Sequence, residues 1–188
     1  MREHNNKALF LDRDGVINVD HGYVHRPEEF HFRDGIFELC RAAQALGYLL
    51  VVVTNQAGIA RGYYTESQFL ELTAWMTSKF AEQQIRLARV YYCPYHPIDG
   101  VGRYKFDSPD RKPKPGMLIR ARDDFNLDLT SSILIGDNPS DIHAAAAGGV
   151  GTKILLRSGD AETGVTRPHC CISESLDEIR HSFFPCGI

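Results

Sequence analysis

The sequence KALFLDRDG, residues 7–15, starts with a short apolar run and ends in two aspartates separated by one arginine. The apolar part has the length of a strand, and it stops abruptly at Asp12. A second apolar run, YLLVVV at residues 48–53, is rich in β-branched side chains without polar alternation, which is typical of a strand buried on both faces. Between the two runs, residues 35–46 carry apolar side chains at helical spacing. This order predicts a strand, a helix and a second, parallel strand.

The alternation of strands and helices continues along the chain. We predict further strands at 90–92, 132–136 and 153–156, a weak strand near 170–172, and helices at 65–80, 115–125, 140–147 and 176–183. Such alternation predicts an α/β fold, a Rossmann-like three-layer sandwich with helices on both faces of a mostly parallel sheet. Residues 93–114 are irregular and rich in proline, and a loop of that length is usually functional or stabilised by a metal. The tail, 159–188, is only weakly defined by its sequence.

Composition and charge exclude several classes of protein. With 188 residues, 43% of them hydrophobic and 24% charged, the chain has the size and composition of one soluble domain, residues 1–188. A net charge of −3 without a basic patch argues against nucleic acid as a partner, so we expect any bound phosphate to belong to a small molecule. Five irregularly spaced cysteines indicate free thiols, and no apolar run reaches the length of a membrane span. We therefore expect a cytoplasmic monomer that does not contact the membrane.

Several polar residues follow the predicted strands, where open parallel sheets carry their active sites. Asp12 and Asp14 follow the first strand, Thr54 follows the second and Asp137 follows the fourth. Lys112 lies in a basic segment that precedes the helix between the third and fourth strands. A site made of carboxylate oxygens suits a hard cation such as Mg²⁺.

These residues can support the hydrolysis of a phosphate ester. With a cation reducing charge repulsion, Asp12 can attack a phosphate, while Asp14 protonates the leaving oxygen and later deprotonates a water. Thr54 and Lys112 offer a hydroxyl and a positive charge to the phosphoryl oxygens. Each motif alone also has an ordinary interpretation as a surface loop, a helix cap or a solvated turn. Their occurrence together, at successive strand ends and helix entries, favours the catalytic interpretation.

Four motifs, DRDGVIN, TNQAG, RKPKPG and GDNPSD, resemble those of the haloacid dehalogenase-like (HAD) phosphatases and span about Lys7 to Leu156. The longer strings FLDRDGVINVDHGYV, VVVTNQAGIARGYYTESQF, VYYCPYHP and RKPKPGML are similar to the heptose bisphosphate phosphatases of that family. The resemblance implies a Mg²⁺-dependent enzyme that removes the 7-phosphate of a small sugar bisphosphate through an aspartyl-phosphate. Histidinol-phosphate phosphatases carry the same motifs, and a non-catalytic phosphate-binding protein is a further alternative. The strings DHGYV and GIARG favour the heptose substrate.

The resemblance also implies roles for single residues. Asp12 is the expected nucleophile and Asp14 the expected acid and base. The expected phosphoryl contacts besides these are Thr54 and Lys112. The expected Mg²⁺ ligands are the carboxylates of Asp12 and Asp137 and the carbonyl oxygen of Asp14, with Asp141 in support behind them. The expected substrate-binding residues are Asp20, His21, Gly22, Tyr23, Asn55, Gln56, Ala57, Arg61, Arg111 and Asn138.

Two departures from the family pattern concern metal and substrate. Many members bind a structural zinc through Cys-x-His and Cys-x-Cys, and the corresponding residues here are Cys93, Tyr95, Ser108 and Asp110. Because structural zinc favours sites rich in sulfur, we predict that zinc does not bind here, although His96, Asp107 and Asp110 are close in sequence. Asn138 stands where close relatives often have lysine, which removes a positive charge near the phosphate and bears on the preference between sugar anomers.

The spacing of the motifs predicts an open site. Only 41 residues separate Asp12 from Thr54, which is enough for one helix and one strand. The 57 residues between Thr54 and Lys112 must form a helix, a strand and the irregular loop. Neither interval has room for a large cap domain, so loops are expected to line the site.

Overall fold

The computed structural model describes residues 6–157 and 170–185, so residues 159–169 and 186–188 of the tail predicted to be weakly defined lie outside the described residues. The strands are β1 Lys7–Leu11, β2 Tyr48–Asn55, β3 Leu87–Cys93, β4 Ile133–Gly136, β5 Thr152–Leu156 and β6 Cys171–Ser173. The helices are α1 Ile36–Ala45, α2 Ala57–Ala60, α3 Glu66–Glu82, α4 Gly116–Phe125, α5 Pro139–Gly148 and α6 Leu176–Phe183, with 3-10 turns at Pro27–Glu29 and Gly102–Tyr104.

The strands pair in the order β3-β2-β1-β4-β5-β6, and every pair is parallel. The predicted α/β fold with a parallel sheet is therefore confirmed. Strands β1 and β4 are neighbours in the middle of the sheet. From β1 the chain continues to β2 and β3 on one side, and from β4 it continues to β5 and β6 on the other side, so the strand order reverses between β1 and β4. Such a reversal opens a crevice at the carboxyl ends of the two strands, where ligands bind in folds of this kind.

The central strands are buried on both faces, as the unbroken apolar runs predicted. In β1, Leu9 and Leu11 join the core under α1, α3 and α6, whereas Ala8 and Phe10 face α4 and α5. All four side chains are fully buried. Two apolar layers therefore hold the ends of β1 and β4 rigidly beneath the crevice.

Two elements differ from the sequence prediction by more than a shift of one or two residues at an end. Strand β3 is longer than the predicted 90–92, since it starts at Leu87 and includes the exposed Arg89. An edge strand can carry a charged side chain, so its apolar run is shorter than the strand itself. The four-residue helix α2 was missed because a single turn is too short to show a helical period.

The connections from β1 to α1, from β2 to α3 and from β3 to α4 are loops that contain short helical turns. The loop that follows β3 is joined to α2 by a hydrogen bond from Val101 N to Ala60 O, at 2.9 Å. Its Tyr95 ring packs against Tyr104 and Phe106, with centroids 6.1 and 5.5 Å away. The loop after β1 contributes Asp20, Gly22 and Tyr23 to the wall of the crevice. Among the helices of the described residues, none is long and apolar enough to cross a membrane.

Candidate active site

A polar cleft of about 410 Å³ lies at the carboxyl ends of β1, β2 and β4. It brings together most of the residues singled out in the sequence. The cleft is lined by Asp12, Asp14, Asp20, Gly22, Tyr23, Thr54, Asn55, Gln56, Ala57, Lys112, Asp137, Asn138 and Asp141, together with Gly58, Tyr64 and Ser140. The strand ends therefore converge as the fold predicts, with the predicted catalytic residues on one surface.

Lys112 forms the charged centre of this cleft. Its ammonium lies 2.9 Å from Asp12 Oδ1 and 2.5 Å from Asp141 Oδ1, and it donates a hydrogen bond to Val53 O at 2.9 Å. The side chains of Lys112 and Asp141 are 3% and 1% exposed, so water contributes little to their solvation. Asp141 thus holds the lysine directly, a closer role than the supporting one expected from the sequence.

The electrostatics follow from burying three carboxylates around one ammonium. Burial disfavours the charge of Lys112, yet the Asp12 and Asp141 carboxylates outweigh it and raise the pKa of Lys112. Burial also raises the pKa of Asp12, because desolvation and the charges of Asp141 and Asp137 act against the Lys112 contact. For Asp137, burial and the nearby Asp141 raise the pKa to about 7. The cluster thus carries more negative charge than one lysine can balance.

Asp137 approaches Asp12 because residue 15 has no side chain. One oxygen each of Asp12, Asp137 and Asp141 lies within 4.8 Å of the other two. Gly15 has a φ of +84°, and a Cβ there would lie 1.8 Å from Asp137 Oδ2. The glycine after the two aspartates therefore leaves the space in which the third carboxylate sits.

Asp14 is held by several donors at the side of the cleft. Arg13 Nη2 donates to both of its carboxylate oxygens at 2.8 Å, and Asn18 Nδ2 donates to Oδ1 at 3.1 Å. Gln56 Nε2 donates to Oδ2, also at 3.1 Å. Asp14 remains partly exposed, at 22%, whereas the arginine that holds it is 1% exposed. The carboxylate is therefore fixed in direction and still open to the cleft.

The end of β2 orders the segment that carries Lys112. Asn55 Nδ2 donates to Lys112 O at 3.0 Å, and Asn55 Oδ1 accepts from Lys112 N at 3.1 Å. This reciprocal pair connects two segments that are far apart in sequence. The neighbouring Thr54 hydroxyl is buried and accepts a hydrogen bond from Gln56 Nε2 at 2.9 Å. The side chain of Asn55 thus positions the lysine backbone.

Three of the predicted substrate residues lie outside the lining of the cleft. The exposed His21 ring turns toward His31, with Nε2 and Nδ1 3.1 Å apart. Arg61 stands at the rim, where it donates to Tyr23 Oη and to Asp99 Oδ2, the latter at 2.6 Å. Arg111 is half-buried and donates to a backbone carbonyl of the loop after β3.

The loop after β3 corresponds to the segment that is expected to bind zinc in many family members. Here its side chains form hydrogen bonds and an ion pair. The Cys93 thiol is buried and donates to Tyr95 O, with S and O 3.9 Å apart, and burial raises its pKa. Ser108 Oγ accepts from Asp110 N, and the Asp110 carboxylate pairs with Arg120 at 2.6 Å. Each of these three side chains thus has a partner of its own, and a set with one sulfur does not fit a tetrahedral sulfur-rich site.

Arg13 and Tyr64 are two functional candidates that the sequence analysis missed. Arg13 is almost fully buried and holds Asp14, and Tyr64 lies under the cleft beside Gln56. A signal for Arg13 was present in the sequence. An arginine that lies between two aspartates at the end of a buried strand is expected to form an ion pair with one of them. For Tyr64 the sequence holds no such signal, since the adjacent Tyr63 has the same side chain and nothing in the pattern distinguishes the two.

The chain is similar to known phosphatases over most of its length. A family model described as HAD-hydrolase-like matches residues 110–179. A "D-glycero-beta-D-manno-heptose-1,7-bisphosphate 7-phosphatase" of Vibrio cholerae is 55% identical, and the match covers 92% of each chain. A "D-glycero-alpha-D-manno-heptose-1,7-bisphosphate 7-phosphatase" of Burkholderia mallei is 53% identical over 93% of this chain and 92% of that one.

One solved structure among the similar ones contains bound ligands. It is the D,D-heptose 1,7-bisphosphate phosphatase of B. bronchiseptica, complexed with magnesium and phosphate. It shares 26% identity with a TM-score of 0.81, and the match covers 93% of this chain and 96% of that chain. The phosphatase resemblance drawn from the motifs is therefore confirmed. The chain belongs to the family of D-glycero-D-manno-heptose-1,7-bisphosphate 7-phosphatases, which are phosphatases of the HAD type.

Proposed function

We propose that the protein is a Mg²⁺-dependent phosphatase that removes the 7-phosphate of D-glycero-D-manno-heptose 1,7-bisphosphate. The observation that carries the proposal is the Lys112 ammonium, which lies 2.9 Å from Asp12 and is itself buried at the crevice between β1 and β4. A carboxylate held beside a fixed positive charge can attack a phosphate whose oxygens that charge stabilises. The names of the relatives supply the substrate, and the site chemistry agrees with it.

The donor set fits a divalent cation. Asp12, Asp137 and Asp141 place three oxygens within 4.8 Å, and Lys112 offsets one of their three charges. A hard cation with two positive charges balances the remainder. We expect Asp12, Asp137 and the carbonyl oxygen of Asp14 to hold Mg²⁺. When bound, Mg²⁺ would reduce the repulsion between Asp12 and the substrate and polarise the phosphoryl oxygens.

In the first step, an Asp12 oxygen forms a bond to the phosphorus of the 7-phosphate. The bond between phosphorus and the sugar oxygen breaks, its electron pair stays on that oxygen, and Asp14 supplies the proton that neutralises it. Lys112 and the Thr54 hydroxyl stabilise the transferred phosphoryl group. The products of this step are the heptose 1-phosphate and an aspartyl-phosphate on Asp12.

In the second step, the same residues act in reverse order. Asp14, now a carboxylate, accepts a proton from a water that attacks the phosphorus. The bond to Asp12 breaks, which restores its carboxylate and releases inorganic phosphate. The arrangement of Asp14 suits this double role, because its hydrogen bonds hold it at the side of the cleft while it remains accessible.

The rest of the sugar is expected to contact the rim of the cleft. Asp20, Gly22 and Tyr23 form one side, and Arg61 with Arg111 supplies positive charge on the side of the loop after β3. The T-shaped contact of Tyr23 with Tyr63, at 4.7 Å, and the link from Tyr23 to Arg61 tie the two sides together. A rim of this kind can recognise a second anionic group. We further propose that the protein acts as a monomer in the cytoplasm.

The first test compares substrates. Phosphate release is measured with Mg²⁺ on the α and β anomers of the heptose 1,7-bisphosphate and on histidinol phosphate. We expect a preference for the heptose of at least about tenfold, the difference that roughly 1.4 kcal/mol of transition-state binding provides. A preference for histidinol phosphate would keep the catalytic roles and overturn the substrate, and absence of release from all three would overturn the proposal.

The second test changes the nucleophile. Asp12→Asn should reduce turnover by at least about 10⁴-fold, because an amide oxygen cannot form the phosphorylated intermediate, while the unfolding temperature stays close to that of the wild type. Asp123→Asn, which changes an exposed aspartate on α4, is the matched control and should retain full activity. Substantial turnover by Asp12→Asn would remove Asp12 from the role of nucleophile.

A further inference from the structure

Tyr64 is a buried side chain at the cleft for which the proposed reaction has no direct use. It is 5% exposed and its ring stacks on His25, with centroids 5.1 Å apart and planes at 3°. The ring lies so close to α2 that a Cβ at Gly58 would be 2.2 Å from Tyr64 Cε1. The aromatic ring therefore has little freedom to move, and the position of its hydroxyl oxygen is fixed.

That hydroxyl begins a chain of hydrogen bonds that leads to the proposed acid and base. Tyr64 Oη donates to Gln56 Oε1 at 2.5 Å. At the other end of the same amide, Gln56 Nε2 donates to Asp14 Oδ2 at 3.1 Å and to Thr54 Oγ1 at 2.9 Å. One amide thus connects two residues of the proposed reaction, and a third residue outside the reaction orients the amide.

The orientation of the Gln56 amide matters because its two ends are not equivalent. With the oxygen toward Tyr64, both hydrogens of the amino group point at acceptors. Rotated by half a turn, the amide would place its oxygen against the Asp14 carboxylate, which is acceptor against acceptor, and it would lose the hydrogen bond that the Tyr64 hydroxyl donates to that oxygen. In a buried network such a mismatch is costly, since water cannot replace the lost hydrogen bonds.

We propose that Tyr64 is a positioning residue for the phosphatase reaction: its hydroxyl holds the Gln56 amide in the direction that the Asp14 carboxylate selects, and the amide in turn aligns that carboxylate and the Thr54 hydroxyl. The role rests on the proposed function, because it requires that Asp14 and Thr54 act on the phosphate. Tyr64 acts through Gln56, so its contribution should vanish when the Gln56 amide is removed. It should also appear in the chemical step more than in substrate binding.

The experiment is a double-mutant cycle on turnover. Tyr64→Phe keeps the stacked ring and removes only the hydroxyl, and we expect kcat to fall about tenfold with KM within about twofold of the wild type. In a Gln56→Leu background, itself slower than the wild type, the same tyrosine change should alter kcat by less than about twofold. Tyr91→Phe is the control, because it removes a hydroxyl that donates to Asp124 at 2.6 Å on the far side of the sheet.

Each outcome decides the role of Tyr64. Full kcat in Tyr64→Phe, or an equal loss with and without Gln56, would overturn the positioning role. The assays use both the heptose bisphosphate and the generic ester p-nitrophenyl phosphate. Turnover of the generic ester alone would overturn the proposed substrate and leave the cycle intact as a test of Tyr64. No turnover of either by the wild type would overturn the proposed function and with it this role. A slower exchange of the Gln56 side-chain amide protons in the wild type than in Tyr64→Phe, measured by NMR, would support the contact independently of activity.

Discussion

Gly15 shows how a single residue controls the spacing of the carboxylates. Its φ of +84° favours glycine, and the absence of a Cβ leaves room for Asp137 Oδ2. Gly136 plays a similar part behind the site, since a Cβ there would lie 2.2 Å from the Cβ of Asp141. Two glycines thus allow two aspartates to approach Lys112 and Asp12. Neither effect is visible in the polarity of the sequence.

We therefore predict that Gly15→Ala reduces Mg²⁺-dependent turnover by about 100-fold, because displacement of a catalytic group by an ångström has an effect of that order. A Mg²⁺ titration of activity should show a weaker apparent affinity. The matched control is Gly47→Ala, at a φ of +80° with no atom within 4 Å of the added carbon. Both changes should strain the backbone, but only the first should affect the metal. Equal loss of activity in the two variants would contradict the argument.

At the scale of elements, the amino end of α3 anchors the loop after β3. Thr65 caps the helix through a reciprocal pair with Gln68, which fixes the first turn. In that turn, Glu66 accepts from Tyr92 Oη at 2.6 Å and from Tyr104 Oη at 2.9 Å. One carboxylate therefore joins α3, β3 and the loop that leads to Arg111 and Lys112.

Glu66→Ala should lower the free energy of unfolding by about 1–3 kcal/mol, because it leaves two partly buried hydroxyls without their acceptor. For a chain of this size, that loss corresponds to a decrease of roughly 2–12 °C in the unfolding temperature. KM for the substrate should also rise, since the loop carries part of the rim. Glu71→Ala, on the exposed side of the same helix, is the control and should change neither quantity. An unfolding temperature unchanged by the Glu66 substitution would show that the loop is held elsewhere.

From the contacts within the loop after β3, we predict that the enzyme keeps its activity without zinc. Aromatic contacts of Tyr95 and the pair of Asp110 with Arg120 occupy the positions where many relatives are expected to use a metal. Protein stripped with a zinc chelator and returned to Mg²⁺ should recover full activity and its original unfolding temperature. Elemental analysis before stripping should find less than stoichiometric zinc. One zinc per chain, or a lasting loss after stripping, would refute this prediction.

At the scale of the whole molecule, the buried charges make stability depend on pH and metal together. The folded protein raises the pKa of Asp12 and raises that of Asp137 to about 7, from an ordinary value of 3.8. At pH values between the ordinary pKa and the raised pKa of the folded protein, the folded state binds more protons than the unfolded state. The resulting stabilisation is complete below the ordinary pKa and is lost as the pH rises through the folded values.

Protein freed of divalent cations should therefore become less stable as the pH rises from about 5 to about 8. Each extra bound proton changes the free energy of unfolding by about 1.4 kcal/mol per pH unit. Mg²⁺ should oppose this decline, because it binds the ionised carboxylates and replaces the protons. Denaturant unfolding at several pH values, with and without Mg²⁺, measures both effects. A stability that increases over this range without Mg²⁺ would contradict the burial of the carboxylates.

Much of the fold was predictable because local patterns specify it. The apolar run at 48–53 predicted a strand buried on both faces, the run at 7–11 had the length of a strand, and the helices between strands predicted parallel pairing. Parallel pairing in turn places the strand ends on one edge of the sheet. The convergence of Asp12, Thr54 and Asp137 followed from that geometry, and the motifs added the expected chemistry.

Other features depended on contacts between residues far apart in sequence. The sequence contains Asp141 and Tyr64, but only folding places Asp141 2.5 Å from Lys112 and the tyrosine hydroxyl 2.5 Å from Gln56. The contact of the His21 ring with His31 and the hydrogen bonds from Arg13 to Asp14 likewise depend on how the loops pack. Periodicity and motif spacing specify which edge of the sheet a residue reaches. The direction of its side chain is decided by packing, which a local pattern does not encode.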